Sequence, residues 1–268
     1  MSTLLAALRT ERGRHVAGAV FLAGLSAMFL FCGYEFIRSP AESIFIDRFG
    51  AARKPYAIAC VPFMMAAMIY GYGRLLSAVG AKKAMAVSML SSAAFFLLAW
   101  LLLGRAGKWL AFLLLVFKES YVVIISEQYW SFVNSVLKDE EGKVFNGPVA
   151  GLGALGSLIG GWLLGRYAVG LGTEQFVLFA ALIILPAAAF FWIGYNNAGE
   201  PKPSEDEAGG KKGHLHLSIL AENRTVLFIA FIIFSAQVVA TTLDFRWTQL
   251  VQDFIPLKVI SYPDSASA

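Results

Sequence analysis

Charged side chains lie inside long apolar segments of this chain, where a charge is costly. Three segments contain six of them: Glu35 in the first, Lys118, Glu119 and Glu127 in the second, and Asp244 and Arg246 in the third. A charge in hydrocarbon costs roughly 3 kcal/mol on insertion scales, so a charge at that depth usually marks an internal polar path. Acids and a base kept together on one segment predict a protein that moves a polar solute.

Lys118 is the deepest cation of the set. It lies nine residues after Trp109, which places its Cα about 13 Å into a helix. Glu127 follows Glu119 by eight residues, so the two carboxylates share a broad helix face, with Lys118 about 100° from Glu119. Such a cation can neutralise an acid, hold an anionic substrate, or alternate between the two. A buried ion pair that only stabilises helix packing is the alternative.

Two further pairs of charges lie in or next to the other two segments. Glu35 and Arg38 are three residues apart and therefore neighbours on one helix side, and the Arg38-Ser39-Pro40 sequence predicts that the helix ends there. Alternatively, the Arg38 side chain extends outward to the membrane–water interface and has no role in a polar path. Asp244 and Arg246 are two residues apart, so they point to opposite sides and do not pair with each other.

Composition places the chain among membrane proteins. Of its 268 residues, 58% are hydrophobic and 15% are charged, whereas a soluble domain carries about 25% charged residues. No basic stripe with interleaved aromatics indicates nucleic-acid binding, and no nucleophile, metal or phosphate-loop motif indicates an enzyme or a cofactor. Cys32 and Cys60 lie in apolar segments and form no disulfide pattern. We expect neither catalysis nor a bound metal.

Seven apolar runs are long enough for membrane helices, and none alternates like a barrel strand. We place them at residues 15–37, 56–73, 84–103, 109–135, 145–166, 175–195 and 225–248. With the N-terminus inside, the inner loops carry twelve Lys and Arg residues and the outer loops eight. The excess predicts a cytoplasmic N-terminus in a multi-pass cell-membrane protein, with a bacterial inner membrane as the expected location.

A polar segment divides the chain. Residues 1–195 are predicted to form a six-helix bundle, 196–223 a cytoplasmic linker with a short amphipathic piece, and 224–268 the first helix of a second bundle. We expect the sequence to be the N-terminal part of a larger protein.

Glycines concentrate in the fifth run. Gly147 and Gly151, and Gly156 and Gly160, repeat the spacing that lets helix backbones approach closely. The contact either fixes the packing or slides during function.

The turn between the second and third runs carries a motif. Gly73, Leu75 and Gly80, followed by Lys82 and Lys83, resemble the cytoplasmic loop motif of the major facilitator superfamily, G-x-L-x-D-R-x-G-R-R. Ser77 and the next residue, Ala78, stand where that family has an acid and a base. The resemblance implies a six-helix half of a transporter and a gating role for this loop.

Other segments resemble the nucleotide (ATP/ADP-type) transporter branch of that superfamily. They are an aromatic run at 129–134, an acidic-basic loop at 140–145, the glycine-rich helix, and the stretch 242–247. Ala41 stands where the first helix of that branch has a lysine. The resemblance implies that helices one, four and seven line the cavity.

We therefore expect a secondary transporter of a small polar organic anion that works by alternating access. A nucleotide, moved by ATP/ADP-type antiport, is the most specific cargo implied, with a counter-substrate or protons and membrane lipids as partners. Alternatives are a proton-coupled carrier of another metabolite or drug, a seven-helix receptor, and a membrane scaffold. A retinal-binding receptor would need a lysine in the last run, which has none.

Overall fold

The computed structural model describes residues 11–105, 107–137, 139–198 and 223–254, and these form an all-α protein. Seven helices account for nearly all of them: α1 Glu11–Phe49, α2 Lys54–Val79, α3 Ala81–Leu102, α4 Lys108–Val136, α5 Asp139–Leu171, α6 Thr173–Ala198 and α7 Arg224–Phe254. All seven are long and apolar enough to cross a membrane. The predicted class, an all-α multi-pass membrane protein with seven spans, is confirmed.

The first helix is longer than predicted. α1 continues through Pro40 to Phe49, so the prediction that it ends at Arg38-Ser39-Pro40 is wrong. A proline inside a helix costs about 3 kcal/mol because it removes a hydrogen bond and crowds the preceding turn. The residues after it offset that cost, since Ala41, Ile44 and Phe45 are all buried in the core.

The six helices α1 to α6 pack around α1. α1 contacts α4, α5 and α6, while α2 packs on α4 and α3 packs on α6. The Ser26 hydroxyl donates a hydrogen bond of 2.7 Å to the carbonyl of Ala187 and joins α1 to α6. The core between them is apolar and aromatic, and includes Phe36, Phe96 and Tyr121.

Two ends of this bundle are identified by side-chain contacts. Lys82, at the start of α3, donates a hydrogen bond of 2.5 Å to Asn196 near the end of α6 and lies 3.8 Å from the centre of the Trp192 ring. We call this the Lys82 end. Arg48 donates a hydrogen bond of 2.6 Å to the carbonyl of Leu103 at the other end. We call that one the Lys54 end, after the first residue of α2.

The seventh helix is set apart from the other six. None of its most apolar window is buried, whereas the first helix has 56% of its window buried. The α7 contacts with the bundle are concentrated at the short turn Ala51–Arg53. Asn223 caps its first turn, accepting a hydrogen bond of 3.0 Å from the amide of Thr225.

The predicted linker and the end of the chain lie largely outside the described residues. The cytoplasmic linker was expected from residue 196, but α6 extends to Ala198. The rest of the linker with its amphipathic piece, residues 199–222, and the end of the chain, residues 255–268, lie outside the described residues.

Candidate polar site on helices one and four

Lys118 is buried in the middle of α4. Only 2% of the residue is exposed, and its ammonium lies 2.6 Å from the Glu119 carboxylate. Ten residues separate Lys118 from Lys108, the first residue of α4, which places it about 15 Å along the helix. A lysine this deep cannot easily extend its amine to water, so Glu119 supplies the counter-charge.

Glu119 connects α4 to the polar side chains of α1. The Glu119 side chain is about one-third exposed, and its charge acts on the hydroxyl of Tyr34. The charges of Glu35, Arg38 and Glu42, on the same helix, also interact with the Tyr34 hydroxyl. Tyr34 is therefore within electrostatic reach of charged residues on both α1 and α4.

Glu35 and Arg38 are neighbours on α1. The nearest guanidinium and carboxylate atoms are 3.8 Å apart, with the Arg38 side chain 55% exposed and that of Glu35 18% exposed. This pair is looser than the Lys118–Glu119 pair, and among the described residues no acceptor lies within hydrogen-bond distance of the Arg38 guanidinium, which could therefore meet a ligand. Four charged residues on α1 and α4, two acids and two bases, form what we call the α1–α4 polar site: Glu35, Arg38, Lys118 and Glu119.

Glycines hold α5 close to α1 beside this site. A Cβ atom at Gly160 would lie 2.7 Å from the Cys32 carbonyl oxygen and 3.1 Å from the Glu35 Cβ, and one at Gly156 would overlap the Met28 carbonyl. A Cβ atom added at Gly147 or Gly151 would have no neighbouring atom within 4 Å. Of the four glycines with the predicted spacing, only Gly156 and Gly160 therefore face α1 and allow the close approach.

An apolar pocket of about 280 Å³ lies between α1, α4 and α5. Tyr129 and Trp130 line its α4 side, with their rings 5.4 Å apart in an edge-to-face arrangement, and Phe31 lines its α1 side. Phe31 precedes Glu35 by one turn, about 6 Å, so the pocket and the polar site share a side of α1. Tyr129 is buried, and its hydroxyl has no hydrogen-bond partner among the described residues.

Glu127, Asp244 and Arg246 lie away from the α1–α4 polar site. Glu127 is exposed on α4, and among the described residues it has no ion-pair partner. Asp244 pairs instead with Lys54, their charged atoms 2.6 Å apart. Arg246 is exposed on α7. The structure therefore does not bring these three together with Lys118.

Lys54 is a residue that the sequence patterns did not single out. It is 5% exposed and bonded to Glu42 on α1 and to Asp244 on α7. Because Lys54 follows Arg53 in a predicted outer loop, we expected it only to be one of the basic loop residues that set the orientation. The signal that could have identified it is the pair of acids, Glu42 and Asp244, each near the end of an apolar run.

The turn that carries the loop motif is a single residue. Gly80 connects α2 to α3 with φ 80° and ψ 167°, a conformation that is essentially restricted to glycine. Gly73 is buried within α2, and the Ser77 hydroxyl bonds back to the Gly73 carbonyl at 2.9 Å. Lys82 contacts α6, as described above, while Lys83 is exposed.

Among the residues that the structure describes, no group of three His, Cys, Asp or Glu could hold a metal ion. No family model matches the chain, and comparisons with curated proteins and with solved structures return no match. The fold and composition define the class: an all-α, multi-pass membrane protein.

Proposed function

We propose that this chain carries the substrate site of a secondary active transporter, which moves a small polar organic anion by alternating access. The single observation that carries the proposal is the buried ammonium of Lys118, paired with the partly exposed Glu119. Burying an ammonium costs several kcal/mol before the attraction of a counter-ion offsets it. A chain that only spans the membrane has no need for that cost.

The pairing suggests how an anion would be bound and released. The α1–α4 polar site is charge-balanced when empty, because Glu119 neutralises Lys118 and Glu35 lies near Arg38. An incoming anion would displace the Glu119 carboxylate from the ammonium, and Arg38 would supply a second cation. When the anion leaves, Glu119 would return, because an unpaired ammonium at this depth is costly. This behaviour suits an exchanger.

The arrangement of helices supports a transporter over a receptor. A seven-helix receptor would pack its last helix into the bundle, whereas none of the apolar window of α7 is buried here. The arrangement is the one expected if α1 to α6 form one half of a major-facilitator-like protein and α7 begins the second half. In that organisation, substrate sites lie between the halves near the middle of the membrane.

A nucleotide, exchanged in ATP/ADP fashion, is the specific cargo that we propose. Arg38 and Lys118 offer charge for phosphate groups, and the pocket beside Tyr129 and Trp130 offers aromatic edges to a ring. In the proposed orientation the Lys82 end faces the cytoplasm. A proton-coupled carrier of another metabolite or drug is the second candidate, favoured by the exposed Glu127 carboxylate.

Uptake into proteoliposomes tests the proposal. The full-length protein would be purified, reconstituted and supplied with labelled ATP, ADP, phosphate, a dicarboxylate and a neutral sugar, with and without unlabelled anion inside. We expect anion uptake that requires internal anion and that has a raised apparent KM in Lys118→Gln. Uptake driven by a pH gradient alone would favour the proton-coupled carrier, and uptake of none of the anions would contradict the proposal.

A further inference from the structure

Three helices meet at the ammonium of Lys54, the first residue of α2. It donates hydrogen bonds to Glu42 of α1, to Asp244 of α7 at 2.6 Å, and to Thr248 of α7 at 3.5 Å. Thr248 lies one turn after Asp244, and its hydroxyl bonds back to the Asp244 carbonyl at 2.9 Å. We call these four residues the Lys54 cluster.

The cluster satisfies the donors of a buried cation. A lysine ammonium has three donors and no acceptor, and the two carboxylates and the hydroxyl provide three acceptors. The Lys54 side chain is only 6% exposed, so removal of all its partners would leave an uncompensated buried charge, which is strongly destabilising. At least one carboxylate must therefore stay with Lys54 at all times.

The two carboxylates differ in how easily they can leave. The Glu42 side chain is 23% exposed and belongs to the six-helix bundle, whereas the Asp244 side chain is 56% exposed and belongs to α7. Asp244 is the more exposed of the two acids and belongs to the helix that packs least on the bundle, so it is the carboxylate that can move away with α7. Lys54 keeps a counter-charge in Glu42 when Asp244 moves away.

The packing of α7 makes this contact important. The helix buries none of its apolar window against the bundle, and its contacts are concentrated at the turn Ala51–Arg53, which directly precedes Lys54. Little apolar packing would therefore hold α7 in place if the Lys54–Asp244 bond were broken.

We propose that Lys54 closes the Lys54 end of the protein by holding α7 against the bundle, and that opening breaks the Lys54–Asp244 bond while the Lys54–Glu42 bond persists. Its part in a transport cycle rests on the proposed function, but the hold on α7 does not. Lys54 is thus a positioning residue that joins two parts of the molecule, through one permanent and one breakable ion pair.

Distances between spin labels test the proposal directly. Nitroxides would be attached at Arg105→Cys, in the turn that follows α3, and at Leu250→Cys, an exposed position of α7, with Cys32 and Cys60 replaced by alanine. Pulsed electron spin resonance on the protein in nanodiscs would measure their separation. Asp244→Asn removes the α7 partner of Lys54, so we expect a shift of the distance distribution to longer values.

Glu42→Gln is the matched control, because it removes the other carboxylate from the same ammonium. We expect it to leave the distance distribution unchanged, since Asp244 still holds Lys54. Lys54→Met should reproduce the Asp244→Asn shift, and Asp47→Asn, at an exposed acid of α1 outside the cluster, should not. Equal shifts in Asp244→Asn and Glu42→Gln, or no shift in either, would overturn the proposal. The readout does not depend on transport, so failure of uptake in proteoliposomes is a separate result.

Discussion

The ammonium of Lys118 lies 2.6 Å from the carboxylate of Glu119, its neighbour in the chain, near the middle of α4. Adjacent residues on a helix point about 100° apart, so the pair forms because both side chains bend toward one another in an apolar environment. Lys118 is buried, whereas Glu119 is about one-third exposed and within electrostatic reach of Tyr34 on α1. The pair therefore links a buried position of α4 to the proposed substrate site.

A double-mutant cycle separates a substrate role of Lys118 from a structural one. If Lys118 only neutralises Glu119, each single change to Gln leaves the other charge unpaired, and the double change should recover what each single change loses. We expect instead that Lys118→Gln raises the apparent KM for anions at least tenfold, about 1.4 kcal/mol of binding. The double variant should not recover. The measurement is initial uptake rate against substrate concentration.

Lys118→Arg is the conservative variant of that cycle. It keeps the charge but changes its reach and donor geometry, so we expect partial activity. Wild-type uptake and affinity in Lys118→Gln would remove the anion site and leave only a generic carrier. Glu119→Gln should weaken exchange less than Lys118→Gln, because the anion itself still neutralises the lysine.

Substitution of Gly156 should destabilise the bundle. A Cβ at that position would overlap the Met28 carbonyl of α1, and overpacking costs typically about 1–3 kcal/mol. We expect Gly156→Ala to lower the thermal unfolding midpoint in detergent. Gly161→Ala is the matched control on the same helix, because nothing lies within 4 Å of its Cβ position. Alanine there should raise the midpoint slightly through helix propensity.

A side chain at position 80 should strain the turn between α2 and α3. Its φ of 80° and ψ of 167° fall in a region where other residues are strained by about 1–3 kcal/mol. Gly80→Ala should therefore lower the unfolding midpoint, and it should loosen the Lys82 contact with Asn196. Gly104→Ala, in a turn with open space around it, provides the comparison. Equal midpoints for the two variants would contradict the argument.

The sequence predicted the number and nature of the helices because each apolar run must be long enough to cross a membrane. It did not predict that α1 passes through Pro40, since the burial of Ala41, Ile44 and Phe45 is a tertiary effect. Local patterns also could not show which glycines face α1 or that Lys54 meets two distant acids. Charges inside apolar runs were visible in the sequence, but their partners depend on packing.

Glu127 offers a test of proton coupling. It is exposed on α4 and, among the described residues, has no ion-pair partner, so Glu127→Gln removes a charge without leaving another unpaired. If a pH gradient alone drives uptake by the unaltered protein, we expect the variant to lose that accumulation while retaining anion exchange. The comparison is uptake with a pH gradient against uptake with internal anion in the same proteoliposomes. Wild-type dependence on the gradient would make Glu127 a structural residue.

The proposed orientation places the N-terminus and the Lys82 end in the cytoplasm. Ser43, exposed on α1 toward the Lys54 end, and Asn197, exposed at the end of α6, report on opposite sides. Each would be changed to Cys in a background that lacks Cys32 and Cys60, and intact cells would be treated with a membrane-impermeant maleimide. We expect labelling of Ser43→Cys alone, and of Asn197→Cys only after the cells are opened. The orientation rests on the excess of basic residues in the predicted inner loops. Labelling of Asn197→Cys in intact cells would reverse it, and would place the linker that follows α6 outside the cell, contrary to the proposed half-transporter.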